Sequence, residues 1–153
     1  MFDIEKLCSF AQDAIRDFAA QHQDETFYAF CITGSSLSLN SEEAFAKTLA
    51  YYQEKYPDGI RDGYREEKDI QGLKANSGDW QYQRFAVFTE KDGFDEALHE
   101  KHYNLHFPLP GGETIPTEYG SVMDEVMKRL VQKDAFGGLK RTDGFTVSRE
   151  EYD

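Results

Sequence analysis

Basic residues, cysteine, proline and long apolar runs are all scarce in this chain. Of its 153 residues 17 are Lys or Arg and 29 are Asp or Glu, a formal net charge of −12. Affinity for a phosphate backbone comes from the Lys and Arg that neutralise it, so a nucleic-acid binder working through a basic surface is excluded. No apolar run approaches the roughly 18 residues of a membrane span. The opening Met1-Phe2-Asp3-Ile4-Glu5-Lys6 is acidic and amphipathic rather than basic and then apolar. It does not read as a signal peptide, and the expectation is a cytoplasmic protein. Two cysteines, Cys8 and Cys31, do not make a disulfide framework and read as buried, reduced thiols. Cys31 has no His or cation nearby in sequence that would lower its pKa.

Catalytic signatures are missing too. There is no Gly-x-Ser-x-Gly elbow. Gly34-Ser35-Ser36 follows a strand pattern and precedes a helix pattern, but lacks the Lys and the glycine spacing of a phosphate loop. It reads as a plain connection between elements.

Aromatic residues, by contrast, are plentiful: 12 Phe and 9 Tyr. An acidic disordered chain would be poor in them, so the chain folds. Residues 3–22 carry Ile4, Leu7, Ala11, Ile15, Phe18 and Ala19 on one stripe, which predicts an amphipathic helix capped by Asp3. Thr26 to Thr33 is a β-rich run whose near-continuous apolar character predicts a central strand. Leu37-Ser38-Leu39 reads as short and extended. Asn40 followed by Glu43 has the spacing of a capping box and predicts a second helix with Phe45, Thr48, Leu49, Tyr52 and Tyr56 inward, ended by Pro57-Asp58-Gly59. Residues 58–79 read as irregular and dense in charge. Gln83 to Thr89 reads as strand, with a short helix capped by Asp79 as the rival. Asp92 to His106 predicts a third helix with Phe94, Ala97, Leu98 and Leu105 inward, broken by Pro108, Pro110 and Gly111-Gly112. Thr117 to Phe136 predicts a fourth, with Tyr119, Val122, Met123, Val126, Met127, Leu130 and Val131 buried. Gly144 to Ser148 suggests a last strand. Trp80, the single Trp, reads as a core anchor.

Two constellations bear on function. Asp95, His99, His102 and His106 fall on roughly one helix face, and imidazole plus carboxylate is a divalent-metal ligand set. Strung over about 16 Å of helix, the four cannot all reach one ion, and His99-Glu100-Lys101-His102 is not the metalloprotease spacing. The expectation is therefore no metal and no cofactor, with a metal-dependent hydrolase or sensor kept as an alternative. The second constellation is the acidity. Residues 1–80 hold 8 basic and 15 acidic side chains, and residues 81–153 hold 9 and 14. The charge is thus a property of one whole domain rather than of a tail. Such a field repels nucleic acid and anionic membrane, and it speeds encounter with basic proteins.

The amphipathic first helix is followed by Asp24-Glu25-Thr26-Phe27-Tyr28-Ala29-Phe30. Asn40-Ser41-Glu42-Glu43 then opens a helix ending Tyr52-x-x-x-Tyr56-Pro57, and Gly78-Asp79-Trp80-x-Tyr82 follows. In this order the chain resembles the bacterial domain-of-unknown-function family DUF4303 over roughly residues 1–90. The resemblance implies an α+β domain. It also implies the setting of small bacterial proteins beside polymorphic or contact-dependent toxins, where immunity proteins occur. It brings no catalytic residues.

The combined expectation is a single α+β domain over residues 1–153, with about four helices packed on a small, mainly antiparallel sheet. Its expected role is non-enzymatic: an immunity protein that occludes the active site of a basic toxin domain, a nuclease being the natural case. Asp58, Asp62, Glu66, Glu67 and Asp69 are the expected contacts, with Tyr64 as aromatic anchor. A non-catalytic adaptor is the other alternative.

Overall fold

The computed structural model describes residues 1–57, 60–106 and 117–150, with 60, 61 and 104–106 described by backbone alone. These residues form an α+β domain of five helices and a four-stranded mixed sheet.

Helix α1 (Ile4–Gln21) buries the expected stripe, and the Asp3 carboxylate accepts from the Lys6 backbone N–H. Strand β1 (Thr26–Thr33) is central in the order β3-β2-β1-β4, as its apolar run requires. A two-residue turn containing Gly34 (φ 55) returns the chain into β2 (Ser36–Ser41), antiparallel to β1. Gly34-Ser35-Ser36 therefore joins two strands, which suits a glycine in left-handed conformation. Helix α2 (Glu42–Lys55) follows directly.

The capping box expected at Asn40 does not form. β2 runs on to Ser41, so Asn40 is still strand, and its side chain donates to the Tyr28 hydroxyl (2.9 Å) and accepts from the Gln81 N–H (3.2 Å). Ser41 is the cap: its Oγ accepts from the Ala44 N–H. Glu43 instead accepts from the backbone N–H of Thr26, tying α2 to the start of β1.

The stretch read as irregular contains a further helix, α3 (Glu67–Ala75), between short 3-10 turns at Ile60–Tyr64 and Ser77–Asp79. β3 (Tyr82–Val87) is a strand, not a helix, and pairs antiparallel with β2. The third predicted helix begins late. Residues Glu90–Asp92 make a 3-10 turn, and α4 (Glu96–His106) follows, with Phe94 buried ahead of it and Ala97 exposed. Leu105's side chain and the Pro108 to Gly112 break lie outside the described residues. Helix α5 (Glu118–Gln132), capped by Thr117, buries its stripe except for Met127, which is half-buried, and Val131, which is 58% exposed. Strand β4 (Lys140–Glu150) is longer than predicted and runs parallel to β1. The sheet is thus mixed: two pairings are antiparallel and one is parallel.

Alternation, reset by the irregularity in β1 between Phe27 and Ala29, gives the sheet two unlike faces. Phe27, Phe30, Ile32, Leu37 and Leu39 pack against Leu7, Ala11, Ile15, Met123, Val126 and Leu130 of α1 and α5 in the main core. The opposite face carries small and hydroxylated residues: Ala29, Cys31, Ser36, Ser38, Thr146 and Ser148 among them. A satellite cluster of Phe45, Tyr64 and Leu73, with Tyr28, Tyr52 and Tyr56, joins α2 to α3 beside that face.

Candidate functional site

The predicted contact residues divide in the structure. Asp58 lies outside the described residues. Tyr64 has a left-handed backbone (φ 59) and is 8% exposed, its ring 5.3 Å from that of Tyr52. An apolar ring gains more from this local cluster than from water, so Tyr64 is a packing residue and not a protruding anchor. Tyr51, next to Tyr52 on α2 and 56% exposed, is an aromatic that faces solvent beside this cluster. Sequence reasoning passed over it because it lies off the apolar stripe.

Asp62 and Glu66 are exposed, and they are brought together. The neighbouring Asp62 carboxyl, with Asp69 adding like charge, pushes the pKa of Glu66 above the ordinary carboxylate range. Glu66 also starts α3, its carbonyl accepting from the N–H groups of Asp69 and Ile70. Acids suit a helix N-terminus, so part of this acidity serves α3 itself. Glu67 turns aside and accepts from Gln71 (2.8 Å). The acidic flank therefore reduces to Asp62, Glu66 and Asp69, with Glu67 alongside.

Among the described residues the histidine face does not assemble as a ligand set. The Asp95 carboxylate is engaged by the N-terminal amine of Met1 and accepts from the Leu98 N–H (2.9 Å). The His99 ring lies 4.5 Å from that of Tyr119. The His106 side chain is outside the described residues. Among the described residues no group of three His, Cys, Asp or Glu is placed to hold a metal.

The polar face of the sheet supplies what the sequence did not announce, a cleft of about 470 Å³. α3 forms one wall. Its terminal Lys74 carbonyl would be an orphan acceptor, but it accepts from both the Tyr28 hydroxyl and the Trp80 indole N–H, each at 2.8 Å. These bonds pin Trp80 (5% exposed) and Tyr28 as an aromatic corner, with centroids 6.0 Å apart and planes at 78°. The Lys74 ammonium donates to both carboxylate oxygens of Glu42 (2.8 and 2.9 Å) and sits 4.7 Å over the Tyr28 ring. Burial pushes Tyr28 up to about 12. It also pushes up the Cys31 thiol on the cleft floor, so this buried, free cysteine is a protonated thiol at neutral pH. A second lobe of about 250 Å³ adjoins the first, the two sharing Ser77 and Glu150, whose side chains hydrogen-bond at 3.2 Å.

The model of the family described as "Domain of unknown function (DUF4303)" matches residues 7–150. The chain belongs to the DUF4303 family. The match runs from α1 to the end of β4, so the second half of the chain, the cleft and the acidic flank all fall inside the DUF4303 domain. No curated protein and no solved structure matches the chain.

Proposed function

We propose that this DUF4303 domain is a cytoplasmic immunity protein. It binds a basic toxin domain and covers the toxin's active site, without chemistry of its own. The observation that supports this reading most is the acidic flank at the start of α3: Asp62, Glu66 and Glu67 are exposed and Asp69 is half-buried beside them. Carboxyls of like charge grouped on a surface disfavour one another, and a cationic partner surface relieves them. The net charge of −12 extends the attraction beyond the contact itself. Occlusion needs complementarity over roughly 800 Å² per partner and no catalytic group. Among the described residues no helix is long and apolar enough to cross a membrane.

The test is capture of the C-terminal region of the protein encoded next to this chain, followed by association kinetics. The quadruple variant Asp62→Asn, Glu66→Gln, Glu67→Gln, Asp69→Asn is expected to associate roughly tenfold more slowly, with a weaker salt dependence. Unchanged kinetics would remove this flank from the interface. Failure to capture any neighbouring toxin would remove the immunity reading.

A further inference from the structure

We propose that the two-lobed cleft on the polar face of the sheet binds a neutral polyol ring, a ligand carrying vicinal hydroxyls on a compact ring. Its volume, about 470 Å³ in the larger lobe, is in the range of small-molecule sites, which run from roughly 300 to 1,000 Å³. The cleft is held open by its composition. Ala29, Ala75 and Gly144 line it, and a Cβ added at Gly144 would meet nothing within 4 Å.

Charge sets the class of ligand. Lys74 is committed to Glu42 through two short hydrogen bonds, so it is not free to receive a phosphate. Lys74 and Glu42, with Arg84 and Glu150, leave the charged lining neutral in sum. The field of the whole chain is strongly negative. Anions are disfavoured on both counts.

Hydrogen-bonding capacity points to hydroxyls. Glu150 stands where the two lobes meet. Its carboxylate has about four acceptor sites and takes one hydroxyl, that of Ser77. A carboxylate with spare acceptor sites receives the two donors of a vicinal diol, as acidic residues do with ribose. In the second lobe Ser36 is 1% exposed, and its Oγ finds no hydrogen-bond partner among the described residues. Buried hydroxyls in native proteins are nearly always satisfied. Ser36 lines the second lobe, so a rotation of its side chain brings this hydroxyl to a ligand hydroxyl seated there. The aromatic corner of Trp80 and Tyr28 supplies the apolar surface on which a sugar ring or a nucleobase lies.

Trp80 is the only Trp in the chain, so its fluorescence and its indole N–H resonance report on the cleft alone. The intact chain is titrated separately with adenosine, uridine, glucose, galactose and N-acetylglucosamine, and with adenosine monophosphate as the anionic comparison. A saturable Trp80 response with Kd below about 1 mM is expected from one of the neutral compounds, and the responding arm says whether the source is a nucleoside or a saccharide. Gly144→Phe fills the first lobe without backbone strain and is expected to abolish the response. Ser36→Ala is expected to weaken binding several-fold while leaving the melting temperature of the free protein unchanged or raised, since it removes an unsatisfied hydroxyl. Three results overturn the proposal: no response to any neutral compound, an undiminished response in a folded Gly144→Phe variant, or tighter binding of the monophosphate than of adenosine.

Discussion

At the scale of single residues, the Glu25 carboxylate gathers three side-chain hydrogen bonds. Burial raises its pKa, but hydrogen bonds from Ser41 (2.6 Å), Tyr82 (2.6 Å) and His22 (3.1 Å) outweigh burial and hold its carboxyl below the ordinary range. One carboxylate thereby joins the segment after α1 to the end of β2 and the start of β3. A carboxyl whose folded pKa is depressed contributes stability above its unfolded pKa, and that stability is lost as pH falls through the folded value. Glu25→Gln is expected to cost about 1–3 kcal/mol at pH 7. Urea unfolding should show the gap to wild type closing once the solution is acidic enough to protonate Glu25 in the fold. A gap that persists there would mean that shape, not charge, is what Glu25 supplies. Glu66 shifts the other way, raised chiefly by Asp62. Asp62→Asn should return it toward the ordinary carboxylate range in an NMR pH titration of the free protein. No movement would show that the two carboxyls do not interact.

At the scale of elements, caps and turns decide where helices start. Ser41 caps α2 while donating to Glu25, so Ser41→Ala is expected to cost about 1–2 kcal/mol by thermal or urea unfolding. A loss of a few tenths only would contradict the cap. Gly93 takes φ 89, and a Cβ there would lie 2.7 Å from the Asp3 carbonyl oxygen. Gly93→Ala should therefore destabilise the joint between α1 and the turn before α4 by about 1–3 kcal/mol. These details mark the boundary of what the sequence made legible. α1 and α5 were readable because their apolar spacing matches one period and their burial largely follows it, and β1 because its apolar run is near-continuous; in α2 the period was readable although only Phe45 of its stripe is fully buried. Asn40 misled because capping chemistry and strand chemistry use the same residue, and only the length of β2 tells them apart. α3 was hidden because its only fully buried side chain is Leu73, too little for a periodic signal amid so many charges. The parallel pairing of β4 rests on a contact between the two ends of the chain, which no local pattern encodes. The acidic flank was legible as composition. Its true membership, with Tyr64 turned inward, depended on a left-handed backbone that sequence does not declare. The cleft was not legible, because Ser, Thr and Ala on alternate strand positions read only as a solvated face.

At the scale of the molecule, the sheet separates two tasks. One face is closed by α1 and α5 and carries the stability of the fold. The other is small, polar and open, with α3 as one wall of its cleft. The acidic flank sits at the start of α3, and the cleft wall is made by its end. The proposed protein-recognition flank and the proposed ligand cleft thus lie at opposite ends of one short helix. The charge of −12 acts on this scale as well. Steering by a whole-molecule field is screened within about 10 Å at 0.1 M salt, whereas buried contacts are not, so salt distinguishes the two.

The central claim is tested most directly by isothermal titration of the chain with the C-terminal region of the protein encoded beside it, at about 50 and about 500 mM salt. Tight binding that weakens at high salt, and weakens less steeply in the quadruple flank variant, is the predicted result. Absence of binding at low salt, or binding equally tight at both concentrations in wild type and variant alike, would contradict an immunity protein steered by this acidic surface.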